Sequence, residues 1–141
     1  MSEFSISSPD FEEGGEIPKK FGYKNGNNML QIELHDAPAG TVATAMIMDD
    51  PDAMAAVGKV WVHWLAVTDG AGELFNEGKN DFGEYGYGGP APPDKRHTYI
   101  FKVYALDEIP DVAEGFSKQE LEDTMKGHIL AEAKLTGTYA P

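Results

Sequence analysis

From residue 30 to residue 35 apolar and polar side chains alternate, Leu30, Ile32 and Leu34 against Gln31, Glu33 and His35. A period of two predicts a strand with one face in water. Ala37-Pro38-Ala39-Gly40 predicts a turn, and the nearly unbroken apolar run from Thr41 to Met48 predicts a strand covered on both faces that surfaces at Asp49. Val60 to Val67 predicts a third strand, with Trp61, His63 and Leu65 on one face and Val62 and Trp64 on the other. Thr98 to Leu106, rich in aromatic and β-branched residues, predicts a fourth that turns Tyr99, Phe101 and Val103 to the same side. After Asp107 the period lengthens. Ser117-Lys118-Gln119-Glu120 has the form of a capping box, and Leu121, Met125, His128 and Ile129 recur at helical spacing in a pattern that Gly137 ends. Several strands separated by turn residues, closed by one C-terminal α-helix, predict a mainly β fold, an antiparallel two-sheet sandwich or a barrel.

Two stretches lack a clear period. Phe11 to Asn28 is polar and glycine-rich, which predicts turns and short extended pieces. Phe75 to His97 holds five glycines and three prolines. Connections beyond about 15 residues without structure of their own are uncommon in compact domains and usually carry function. Phe82, Tyr85 and Tyr87 predict that this one is packed against the body of the protein. The 141 residues, with no internal repeat, suit one domain spanning 1–141.

Composition narrows the function. The formal charge of −13 arises from 24 acidic against 11 basic residues, with Arg96 the sole arginine. Such a field disfavours nucleic acid and anionic membranes, and no basic cluster is denser than Lys19-Lys20. A small anion held by a few donors in a dry pocket remains compatible with it, because distant charges are screened over about 8 Å. The absence of cysteine excludes disulfides, thiolate metal sites and a cysteine nucleophile. Neither a signal peptide nor a run of roughly 18 apolar residues is present, so a cytoplasmic protein without a transmembrane segment is expected.

The chemistry-bearing types concentrate in the stretch 49–64, where Asp49, Asp50 and Asp52 surround Pro51 and His63 stands between Trp61 and Trp64. None of the serines, Ser2, Ser5, Ser7, Ser8 and Ser117, lies in a nucleophile elbow. A metal site drawn from Asp49, Asp50, Asp52, His63 and His97 is weakly supported, since no two histidines are neighbours and Asp-x-Asp is unspecific. Taken singly, each feature has a plain structural account: a turn at 49–52, a core histidine at 63, packing at Trp61, a rigid loop at 86–93. Taken together they describe an anion pocket. A carboxylate beside an imidazole favours its protonated form, backbone N–H groups of Gly88-Gly89 add neutral donors, and Pro92-Pro93 form an apolar wall.

These residues carry a resemblance. "MDDPDA" at 48–53, "VWVHW" at 60–64, "NDFGEYGYGGPAPP" at 80–93, His97-x-Tyr99 and "FKVYALD" at 101–107 resemble, in order, the phosphatidylethanolamine-binding proteins. The closing "GHILAEAKLTGTY" at 127–139 is similar to their bacterial and archaeal, Raf-kinase-inhibitor-like branch. The resemblance covers about Phe11 to Tyr139 and implies a Greek-key sandwich of two antiparallel sheets with a C-terminal helix. It also implies a surface pocket for a phosphate-like anion or phospholipid head group, lined by Asp50, Trp61, His63, Gly89, Pro92, His97 and Tyr99. No cofactor, metal ion or catalytic residue is implied, and the expected activity is non-enzymatic binding. A kinase or protease inhibitor that uses the pocket rim is the alternative, an esterase of phosphate esters a weak third, and a homodimer is left open. Met54 stands where the family commonly has proline, and Thr98 where it commonly has arginine, which removes a phosphate donor. Lys95 or Arg96, in the short run between Pro93 and His97, could replace that charge.

Overall fold

A computed structural model describes residues 3–69 and 73–141. The strands are β1 (Ser5–Ser7), β2 (Glu33–His35), β3 (Ala43–Asp50), β4 (Trp61–Asp69), β5 (Leu74–Glu77), β6 (His97–Leu106) and β7 (Ile129–Tyr139), with helices α1 (Ala53–Val57) and α2 (Lys118–Met125). The chain is mainly β, in two antiparallel sheets. β1 and β2 form the small sheet, and the large one has the order β5-β4-β3-β6-β7. Three strands follow in sequence from β3 outward to the edge at β5, and the chain then returns across the sheet to lay β6 beside β3. That is Greek-key connectivity, and the return segment is the long irregular stretch.

The large sheet is covered on both faces, which accounts for the apolar run in β3. Met46, Met48, Trp64, Tyr99, Phe101 and Leu135 pack on one side with Ile6, Phe11, Ile17, Phe21 and Leu30 from the amino-terminal segment. Ala45, Ile47, Val62, Leu65 and Val67 pack on the other with Phe116, Leu121 and Met125 around α2. The strand does not surface at Asp49. All eight residues of β3 are buried, the two aspartates included, because Asp49 pairs with Lys118 at 3.1 Å and Asp50 with His97 at 2.6 Å.

The C-terminal helix is present but shorter than the helical spacing predicts. Ser117 caps it, with the reciprocal Glu120 bond of a capping box in place. Lys126 then leaves helical geometry and Gly127 adopts φ +81°, a left-handed conformation that turns the chain back. The last eleven residues of the element order are strand β7, in which Ala133, Leu135 and Tyr139 point inward while Lys134, Thr136 and Thr138 do not. Gly137 sits mid-strand against Phe11 and Ile17, so it marks close packing there instead of a helix stop. The alternating pattern of 30–35 yields only the three-residue β2, and its Leu34 stays exposed. Among the described residues, no helix is long and apolar enough to cross a membrane.

Candidate functional site

One end of the large sheet gathers the chemistry. β3 finishes there at Asp50, β4 begins at Trp61 and β6 begins at His97, so antiparallel pairing brings three distant segments to one rim. A register shift then alters the faces. Met48 opposes Trp64 while Asp49 opposes Val62, leaving His63 as an extra, unopposed residue of β4. Such a bulge breaks strict alternation. Val62 and Leu65 therefore share the helix-covered face, whereas the His63 ring meets Tyr99 at 5.1 Å on the other, in contrast to the predicted grouping of Leu65 with His63.

The return loop satisfies the backbone that this end of β4 exposes. Val62 N–H donates to the Asp81 carboxylate at 2.7 Å, Asp81 N–H donates to Val62 O at 2.9 Å, and Gly88 N–H donates to His63 O at 2.8 Å. Asn80, buried, ties the loop to itself: its side-chain oxygen accepts from Phe82 and Glu84 N–H, and its amide donates to Gly86 O. Phe82 and Tyr87 pack as predicted, against Tyr23 and Trp64, whereas Tyr85 is 62% exposed, and these bonds pair backbone groups that the packing shields from water.

Between the sheet rim, the loop and α1 lies a cavity of about 350 Å³ lined by Tyr23, Lys24, Asp50, Ala53, Ala56, Val57, Trp61, His63, Phe82, Ala91, Pro93 and His97. Phe82 is central to its wall, stacked on Tyr23 with 3.8 Å between centroids and edge-on to both Trp61 and His63 at 5.5 Å.

The two histidines differ in state. His97 Nδ1–H donates to Asp50 Oδ2 at 2.6 Å and Nε2–H to Asp94 Oδ1 at 2.7 Å. Burial pulls its pKa down, but the hydrogen bonds and charges of the two carboxylates outweigh that and hold it above the usual histidine value. His63 is 2% exposed, and desolvation lowers its pKa despite the Gly88 carbonyl and the Asp50 charge. As a neutral ring it donates from Nδ1 to Gly88 O at 2.7 Å, which leaves Nε2 as an acceptor. Asp50 thus binds one imidazole directly, and a backbone carbonyl orients the other.

Of the residues singled out from sequence, Asp50, Trp61, His63 and His97 line the cavity. Tyr99 sits behind them, its ring against His63 and His97; burial, then the Asp50 charge, raises its pKa. Gly89 and Pro92 lie outside the lining. Gly89 is pressed against the 19–23 segment, where a Cβ would meet Phe21 O at 2.0 Å, and its N–H donates to Asn27 at 2.7 Å. Pro92 borders a neighbouring hollow with Asn25 and Tyr139. Asp49 and Asp52 are spent on Lys118 and on Thr98 N–H. Arg96 pairs with Glu16, and the lysine that lines the cavity is Lys24. Sequence reasoning passed over Tyr23 and Lys24; an aromatic residue and a cation inside a Gly/Asn-rich turn were the available signal.

Comparison with known proteins places this geometry. The sequence profile described as phosphatidylethanolamine-binding protein matches residues 7–140. The chain belongs to that family. Its relatives include a UPF0098 protein of Chlamydia muridarum, 37% identical and covering 95% of this chain and 97% of its own length. Another, from Methanothermobacter thermautotrophicus, is 36% identical over 96% of this chain and 97% of its own. Among solved structures, a phosphatidylethanolamine-binding protein homologue from Chlamydia trachomatis superimposes with a TM-score of 0.88 at 33% identity, covering 99% of this chain and 98% of that one. YbcL of Escherichia coli, described as a new member of the mammalian phosphatidylethanolamine-binding family, gives 0.85 at 28% identity, with 98% of each chain covered. The phosphatidylethanolamine-binding fold therefore extends over essentially the whole molecule.

Proposed function

We propose that the cavity binds, without turning it over, a small phosphate-like group, either free or as the head group of a phospholipid. One observation carries this reading: Asp50 Oδ1 and Trp61 Nε1, both on cavity-lining residues, are buried with no hydrogen-bond partner. Buried polar atoms are rarely left unpaired, because each costs about 1–3 kcal/mol in lost hydration. A guest that supplies both acceptors and donors removes that cost. Phosphate oxygens accept from Trp61 Nε1 and the Lys24 ammonium; a P–OH, hydroxyl or ammonium of the same guest donates to Asp50 Oδ1 and neutral His63 Nε2. The Tyr23 and Phe82 rings flank the organic remainder.

The proton count sets the pH dependence. A bound oxyanion at His63 is favoured by an extra proton, on the ring or on the phosphate, so affinity rises as pH falls toward the lowered His63 pKa and declines above it. Phosphorus NMR titration of phosphoethanolamine, for wild type and His63→Ala, tests this; an affinity indifferent to both pH and the substitution refutes it. Repeating the titration with phospholipid vesicles separates a free ligand from a membrane-borne one. A second reading, a kinase or protease contact at the rim, is favoured by Val57, which lines the cavity, and Met54 on the same helix α1, both about half exposed. It requires that a captured partner be lost when Asp50 or the α1 residues are changed.

A further inference from the structure

We propose that Asp94 is a built-in competitor for the anion pocket, its carboxylate being a resident occupant of His97 Nε2 that a guest reaching His97 must displace. The inference rests on the anion-binding reading above and adds a resident competitor to it. Both ring N–H groups of His97 are already committed, to Asp50 at 2.6 Å and to Asp94 at 2.7 Å, so none is free for a guest. The two carboxylates are not equivalent. Asp50 is 4% exposed and fixed at the end of a central strand, whereas the Asp94 side chain is 43% exposed on the three-residue link between Pro93 and His97, both of which line the cavity. Asp94 is the one that can swing away.

A free carboxylate offers His97 the same charge and the same two acceptor atoms as Asp94. It must be captured from solution, while Asp94 is tethered three residues away at an effective concentration in roughly the millimolar range or above. Acetate therefore gains little by the exchange. A phosphate dianion brings more charge and further acceptor oxygens, so it displaces Asp94 more readily than acetate does. Asp94 handicaps both guests by the same free energy, so it lowers the affinity of each, and phosphate is the guest whose own contacts are strong enough to displace it. If the Asp94 contact is formed nine-tenths of the time, the apparent affinity of a guest that needs His97 is reduced about tenfold.

The test compares wild type with Asp94→Asn, which keeps shape and an acceptor but not the charge, and Asp94→Ala, which keeps neither. Dissociation constants for inorganic phosphate and for acetate are read from amide shifts at fixed pH and ionic strength. Asp111→Asn, on a surface sharing no lining residue with the cavity, controls for net charge. Both Asp94 variants should bind phosphate and acetate each about tenfold more tightly, with the control changing either by less than about twofold. Wild-type phosphate binding at the cavity with unchanged affinity in the variants overturns the role of Asp94 and leaves the pocket intact. Weaker binding of both anions overturns it too, since Asp94 would then be holding the guest. No cavity shift with either anion in any variant overturns both readings.

Discussion

Replacing Asp50 by asparagine removes one charge from a buried pair without changing its shape. In the wild type the carboxylate accepts from His97 Nδ1 at 2.6 Å, and neither residue has appreciable contact with water. Hydrogen bonds to charged groups contribute about 1.5–3 kcal/mol, and removing one partner of a buried ion pair outright costs about 3–5. Asparagine still accepts from the ring, so the expected loss is about 2–3 kcal/mol. That is about 8 °C in Tm for a chain of this size. The loss should depend on pH. The folded pKa of His97 is raised, so its pairing stabilises the fold fully below the unfolded value of 6.5 and ceases to do so as pH climbs through the folded value. The difference between wild type and Asp50→Asn is then largest at about pH 6 and smaller at about pH 9. Urea unfolding of both proteins at the two pH values measures this, and taking the difference cancels repulsion from the net charge. A destabilisation equal at both would refute a protonated His97 as the partner of Asp50.

Trp61→Phe deletes an indole N–H that has no partner while keeping a ring beside Phe82. Stability should stay within about 0.5 kcal/mol of wild type while phosphoethanolamine affinity falls about fivefold or more, the first read by urea unfolding and the second by NMR. Gly89→Ala places a methyl group 2.0 Å from Phe21 O, which only a main-chain shift can relieve. Calorimetry should register a loss of about 2 kcal/mol or more, and an unchanged Tm would mean that the 19–23 segment yields freely.

Much of the fold could be read from patterns with a short range. The faces of β6, the capping box at Ser117 and the two-sided cover of β3 follow from period, cap chemistry and continuous apolarity, each of which is a property of neighbouring residues. The end of the chain shows the limit of that reasoning. Leu121, Met125, His128 and Ile129 fit a helix, and Ala133, Leu135, Gly137 and Tyr139 fit a strand; pairing with β6 along ten residues decides for the strand from Ile129 onward. Local propensity differs too little between the two for spacing to choose.

The site divides along the same line. The linear sequence by itself determined that acid, imidazole and indole stand near strand ends, that no thiol chemistry is available, and that a long aromatic loop must pack somewhere. Only the tertiary structure decided which carboxylate meets which ring. Asp50 and Asp94 bracket His97, a carbonyl of the returning loop takes His63, and one extra residue in β4 turns that ring into the cavity. The reason is physical: a strand's pattern states which way a side chain leaves the sheet, but a bulge and a Greek-key return are set by the hydrogen-bond needs of segments tens of residues apart, which no local pattern encodes.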